Sequence, residues 1–283
     1  MSARQPVVAL VHGFLGTPED WAPMRAALRA RGIDGIITVD LLECASTPEC
    51  AAWLDRAMRI DPESLPETDA LDALATEAQR RIRAAASDAG HAPGSVALCG
   101  YSLGGRICLA LAGRMPDTPA CILIGADPGI EDPRERSLRA GRDHAHAVHL
   151  MQDPEGFLAA WYAQPLFASL RHGPEFGAVL ARRRGALGDP AVRAQWARIL
   201  EACSPGRCVP RWDAAVRLGS HLAMIHGALD DKFAAIARRL HAREPQVPTI
   251  SIRGAGHAAH VEQAEACADV IASIVCPPAP AHR

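Results

Sequence analysis

Apolar residues along the chain keep two rhythms. Short unbroken runs occur at Val7-Val8-Ala9-Leu10-Val11, Gly35 to Leu42, Val96 to Cys99, Cys121-Ile122-Leu123-Ile124-Gly125, Leu222 to His226 and Thr249 to Ile252. Runs with no polar face are expected of strands covered on both sides of a parallel sheet. Between them, apolar positions recur at helical spacing in Leu71 to Ala86, Ile107 to Ala112, Phe233 to Leu240 and Val261 to Val275. A further helix after the first strand is signalled by Thr17 as cap, Pro18 just inside it and Asp20 in its first turn. Residues 43–68, rich in proline and acid, read as an irregular connection with one short helix at Ala51 to Met58. Alternating strands and helices predict a doubly wound, mostly parallel central sheet, with chemistry at the carboxyl ends of its strands.

The alternation stops at Asp127 and resumes after Asp213. The interval reads as helices at Arg134 to Met151, Glu155 to Tyr162, Glu175 to Arg184 and Ala191 to Cys203, punctuated by proline and glycine. The expected organisation is a core formed by residues 1–126 and 214–283, with a helical cap over the site from residues 127–213. The proline-rich tail beyond Cys276 is expected to fray.

Composition narrows the function. The chain has 283 residues, 49% hydrophobic and 22% charged, which suits one globular α/β core with an inserted subdomain. The formal net charge of −2, with no basic block, argues against nucleic acid or a membrane surface as partner. No apolar run approaches the roughly 20 residues of a membrane span. A strand begins at Val7 without a charged leader and long apolar stretch, so a soluble, cytoplasmic monomer or small homo-oligomer is expected. The nine cysteines are scattered and lack zinc-type spacing, which makes them free, mostly buried thiols and leaves no metal site. His144, His146 and His149 read as solvated helix residues. Basic residues are almost all arginine, and Lys232 is the only lysine.

The reactive candidate is Ser102, in Gly100-Tyr101-Ser102-Leu103-Gly104-Gly105 between an apolar strand and an apolar helix. G-x-S-x-G in that setting is a nucleophile elbow, a strained turn that exposes the serine hydroxyl beside the first amides of the helix. His12-Gly13-Phe14, at the end of the first strand, offers the Phe14 amide as one oxyanion donor, with the Leu103 amide as the other. Asp230 follows a late strand and His257 the last one. The order Ser, Asp, His is that of the α/β-hydrolases, in which the histidine exchanges the serine proton and the acid holds its tautomer. Asp231 and His260 are the rivals. Asp230 is preferred because it lies closer to its strand end, and His257 because His260 falls past the turn.

On these and further residues the chain resembles the MenH family, the 2-succinyl-6-hydroxy-2,4-cyclohexadiene-1-carboxylate synthases of menaquinone biosynthesis. The resemblance runs through His12-Gly13-Phe14, the elbow extended to Arg106, Asp127-Pro128-Gly129, and Arg139 with Asp143. It continues through Trp161 to Leu170, Gly227-x-x-Asp230-x-Lys232-Phe233 and Gly256-His257. It implies an α/β-hydrolase fold working as a lyase that expels pyruvate from a succinylated cyclohexene, without metal or cofactor. It also implies a small anionic, multi-carboxylate substrate held by Arg106, Arg139 and Arg182, with Tyr101 and Trp161 as walls. The arginines suit that task because a guanidinium fork binds carboxylate at two points. Arg183 competes with Arg182 for the third place. One departure stands out: Leu42-Glu43-Cys44-Ala45, followed by a longer insert, replaces the family's Pro-Gly-His-Gly turn. An esterase or C–C hydrolase using the same three residues is the alternative. A non-catalytic binding protein is disfavoured, because all three are present.

Overall fold

The computed structural model of the protein describes residues 6–115 and 117–276, so the proline-rich tail lies outside the described residues. The apolar runs form one sheet of six strands: β1 (Val7–Val11), β2 (Gly35–Val39), β3 (Val96–Tyr101), β4 (Cys121–Ile124), β5 (Leu222–Gly227) and β6 (Thr249–Ile252). Their order is β2-β1-β3-β4-β5-β6 and every neighbouring pair is parallel. The chain leaves β1 for β2 on one side and returns to β3 on the other. That reversal opens a crevice at the carboxyl ends of β1 and β3, where loops diverge.

Helices cover both faces. Between β1 and β4 lie α1 (Ala22–Ala30), α2 (Leu41–Ala45), α3 (Pro48–Ala57), α4 (Ala70–Asp88) and α5 (Leu103–Ala112). Between β4 and β5 come α6 (Pro133–Gln152), α7 (Pro154–Ala163), α8 (Ala168–His172), α9 (Phe176–Leu187), α10 (Pro190–Ala202) and α11 (Trp212–Leu218). The chain closes with α12 (Asp231–Arg243), α13 (Ala259–Glu262) and α14 (Ala264–Val275). Strand pleating divides the core: Val7, Ala9 and Val11 join Leu74, Ala78, Ile107 and Leu111 on one face. On the other, Val8 and Leu10 meet Trp21, Met24, Leu28 and Ile271. A strand buried on both faces therefore needs no alternation, which is why its sequence reads as a continuous apolar run.

Three segments depart from the sequence reading. The second strand stops at Val39, because Asp40 caps α2 by accepting the Leu42 N–H at 2.8 Å while the Leu41 N–H turns inward to His12 Nε2 at 3.1 Å. The short helix expected at Ala51 to Met58 forms as α3 but starts earlier, because Thr47 caps it with Pro48 just inside. The closing helix is broken at Gln263, because Glu262 turns back to accept the Gly256 N–H at 3.0 Å and the Ala258 N–H at 3.1 Å.

The two ends of the β4–β5 segment are tied to each other, and the second end is tied to α4. Arg211 N–H donates to Pro128 O at 2.6 Å, and Trp212 Nε1 donates to Gly129 O at 2.9 Å. Buried Asp69 caps α4 with one oxygen and accepts from Val209 N–H and Arg211 Nη1 with the other, at 2.7 and 3.0 Å.

Candidate active site

Ser102 and Leu15 are the two non-glycine residues with positive φ among the described residues. Ser102 sits at φ 52°, ψ −113°, between the end of β3 and the first residue of α5. Such a conformation costs on the order of 1–3 kcal/mol and persists because the surroundings impose it. The imposition comes from Gly104: a Cβ there would run into the carbonyls of Val11 and His12, so α5 lies in backbone contact with the end of β1. Across the crevice, His12 holds the other loop. Its Nδ1 lies 2.9 Å from Gly13 O, and its Nε2 accepts from Leu41. Among the described residues, neither the Phe14 nor the Leu103 amide donates a hydrogen bond within the protein. Both residues line one cavity with Ser102. Two free amides beside the hydroxyl are what a developing oxyanion needs.

Asp230 is the N-cap of α12. One oxygen accepts the Phe233 N–H at 3.1 Å, and the other lies 3.1 Å from His257 Nδ1. Asp231, the rival acid, is exposed in the first turn of that helix. The His257 ring packs over Phe233 at 4.6 Å, with Tyr101 at 5.1 Å and Phe167 at 5.8 Å. Gly125 leaves room for it, since a Cβ there would stand 2.9 Å from His257 Nδ1. Burial lowers the His257 pKa, against the pull of Asp230, and so favours the neutral, proton-accepting form. Ser102 and His257 line the same cavity, and the Ser102 hydroxyl makes no hydrogen bond among the described residues. In such relays the serine–histidine contact tightens when substrate binds.

His260, the rival base, sits between Trp21 (4.6 Å) and Tyr101 (4.1 Å), and its Nδ1 has no partner. Burial drives its pKa down to about 3, which removes it as a base near neutral pH.

The cavity measures about 280 Å³ and is bounded by the strand ends below and helices α6, α7, α9 and α10 above. Tyr101, Arg106, Arg139 and Trp161, the residues the family resemblance points to, line it. Arg106 Nη1 donates to Cys203 O at 2.7 Å, and Arg139 Nε donates to Asp143 Oδ2 at 2.8 Å. Arg182 does not line it. Its guanidinium lies outside, 3.0 Å from Asp20 Oδ1, and the adjacent Arg183 takes the cavity position. One residue is 100° of helix, so the two side chains leave α9 in different directions. Arg183 is 7% exposed; Nη2 reaches Asp20, while Nε and Nη1 have no partner. Burial works to raise the Asp20 pKa, but Arg183, the Thr17 amide and Arg182 outweigh it and hold the carboxylate ionised.

Sequence reasoning also missed His146. Far from being a solvated helix residue, it lines the cavity, with its ring edge-on to Trp161 at 5.5 Å and to Phe157 at 6.1 Å. Arg139, Arg142, Asp143 and His146 stand at i, i+3, i+4 and i+7 on α6, which was the available signal for one inward face. The thiols are free and, apart from Cys276, buried, as expected.

A parallel sheet carrying a strained serine turn, with an imidazole–carboxylate pair brought in from later strands, defines an enzyme-like α/β class. The chain belongs to the alpha/beta hydrolase family, whose model matches residues 8–270. Within it, the chain is similar to the 2-succinyl-6-hydroxy-2,4-cyclohexadiene-1-carboxylate synthase of Enterobacter sp. (strain 638), 35% identical over 63% of this chain and 66% of that enzyme. It is also 27% identical to protein PHYLLO, chloroplastic, of Arabidopsis thaliana, over 92% of this chain but 15% of that longer protein. Among solved structures, MenH from S. aureus matches with a TM-score of 0.74 and 22% identity, covering 96% of this chain and 94% of that one. The resemblance to the MenH family read from the motifs therefore holds.

Proposed function

We propose that the protein is a pyruvate-eliminating lyase of menaquinone biosynthesis, converting 2-succinyl-5-enolpyruvyl-6-hydroxy-3-cyclohexene-1-carboxylate to 2-succinyl-6-hydroxy-2,4-cyclohexadiene-1-carboxylate. The observation that carries this reading is Arg183, a buried guanidinium that lines the same cavity as Ser102 and His257. Arg182 and Arg183 share one carboxylate, Asp20, so the pair keeps a net positive charge for an anionic ligand to meet. Arg106 and Arg139 add two more guanidiniums, which fits a substrate with several carboxylates.

In this mechanism His257, neutral and steadied by Asp230, takes the Ser102 proton. Ser102 Oγ in turn removes the ring proton beside the succinyl carbonyl. The electron pair moves into the conjugated carbonyl, whose oxygen is held by the Phe14 and Leu103 amides. As the pair returns it forms a ring double bond at that carbon, the existing ring double bond shifts one place toward the oxygen-bearing carbon, the C–O bond breaks, and the departing enolpyruvate takes the proton held by His257 to become pyruvate. No acyl-enzyme is needed. Residues 127–213 act as the cap that supplies Arg139, Trp161 and Arg183, while Tyr101 and Trp161 shape the walls.

Pyruvate release from the pathway intermediate, followed by a coupled dehydrogenase, tests the reading. Ser102→Ala should abolish release and leave the circular dichroism spectrum unchanged; release at the wild-type rate would remove Ser102 from the mechanism. Arg183→Gln should lower kcat/KM about a hundredfold, by loss of a charge-assisted contact worth about 2–3 kcal/mol. Arg182→Gln should change it less than about threefold. The same residues could cleave an ester with water. Steady turnover of p-nitrophenyl esters, unaffected by Arg106→Ala, together with no pyruvate release, would favour that hydrolase.

A further inference from the structure

Five cations line the cavity: Arg106, Arg139, Arg142, Arg183 and Lys232. Three already have partners inside the protein: the Cys203 carbonyl, the Asp143 carboxylate and the Asp20 carboxylate. Among the described residues Arg142 and Lys232 form no ion pair or hydrogen bond; Lys232 Nζ lies 5.1 Å from the centre of the Phe233 ring. They come from opposite banks, Arg142 from the inward stripe of α6 and Lys232 from the first turn of α12. Both are exposed, so they stand where the cavity meets solvent, whereas Arg183 is buried at its inner end. Lys232 is also the single lysine among 30 basic residues. Its compact ammonium rotates freely and can follow a moving ligand better than a planar guanidinium fork.

We propose that Arg142 and Lys232 form a separate outer site for the carboxylate of a small 2-oxo acid, and that the departing pyruvate passes through it. The identity of this anion rests on the lyase reading above. Of the substrate's carboxylates, the one that departs with pyruvate must reach solvent through the cavity mouth. A pair of exposed cations at the mouth suits that group, and the buried Arg183 suits one that stays. Partial desolvation and the neighbouring Arg139 and Arg142 guanidiniums lower the Lys232 pKa, opposed by Asp127 and Asp230, so an anion between the banks would relieve a standing repulsion. His146, one turn beyond Arg142, feels the same field. Burial lowers its pKa, helped by Arg139, His149 and Arg142 and opposed by Asp143. Such a site would also draw substrate in, since unpaired charge at a cleft mouth steers anions from solution.

The test is direct titration of the intact protein with pyruvate, followed by the line width of the pyruvate methyl signal, in wild type, Arg142→Gln/Lys232→Gln and Arg183→Gln. Replacing two exposed side chains leaves the core untouched. The double variant should bind pyruvate about tenfold more weakly than wild type, as expected for the loss of two exposed charge contacts, and Arg183→Gln should bind within about twofold of it. Undiminished binding by the double variant, weakening confined to Arg183→Gln, or no binding by wild type would each overturn the outer site. Pyruvate release from the pathway intermediate is measured in parallel. Its absence, with pyruvate binding still dependent on Arg142 and Lys232, would overturn the lyase reading and leave a 2-oxo-acid site standing.

Discussion

Ser102 and His260 both have environments their side chains would not choose. Ser102 pays for its φ of 52° in backbone strain, and replacement by glycine would relieve it. Ser102→Gly should therefore raise the urea unfolding free energy by about 1 kcal/mol while ending turnover; an unchanged or lower value would show that the turn is not strained. His260 is a buried imidazole whose pKa falls to about 3. A group with its folded pKa depressed leaves stability intact above the unfolded value, about 6.5, and removes it as pH falls toward the folded value. The slope is about 1.4 kcal/mol per pH unit, so between about pH 7 and pH 5 the histidine should cost about 2 kcal/mol. His260→Phe keeps a ring between Trp21 and Tyr101 and cannot be protonated. Its urea midpoint should fall less than the wild type's over that interval. His257 shifts the same way, so activity should persist somewhat below the ordinary histidine pKa before its acid limb sets in.

At the scale of elements, the site depends on how strands end. Motif and run length made β1, β3, β5 and β6 legible, because a strand buried on both faces admits almost only apolar residues. The end of β2 was not legible: what stops it is an acceptor nitrogen of His12, 29 residues earlier in the chain, taking the Leu41 N–H. The break before α14 was hidden for a like reason. Val261 to Val275 has the apolar spacing of one helix, yet Glu262 leaves it to hold the two amides flanking His257. Glu262 thus acts as a positioning residue. Glu262→Ala leaves two amides without their acceptor and should cost about 2 kcal/mol of stability. It should also lower kcat more than it raises KM, with partial rescue by Glu262→Gln; a change in KM alone would assign Glu262 to substrate binding instead.

At the scale of the whole molecule, a polar joint ties the β4–β5 segment to the rest of the fold. Asp69, Arg211 and Asp72 link the start of α4 to the place where the chain returns from α10 to β5. Asp69→Ala removes a cap and a buried partner of Arg211 together, and should destabilise the protein by about 3–5 kcal/mol. A thermal transition unchanged within a degree would show that the joint is not stabilising. Because the cavity's outer cations are exposed, kcat/KM should also fall with added salt while the stability does not.

By itself, the sequence determined the parallel sheet, the serine turn and the pairing of Asp230 with His257. Each follows from local rules: run length, glycine spacing and position after a strand. The family resemblance pointed to Arg106, Arg139, Tyr101 and Trp161, all of which line the cavity. Tertiary structure alone decided that Arg183 and not Arg182 faces inward, that His146 joins the wall and that Arg142 and Lys232 remain unpaired. Those outcomes depend on the rotation of a helix about its axis and on which carboxylates happen to lie within reach. Both are set by packing between distant segments, and in so arginine-rich a chain no local pattern records them.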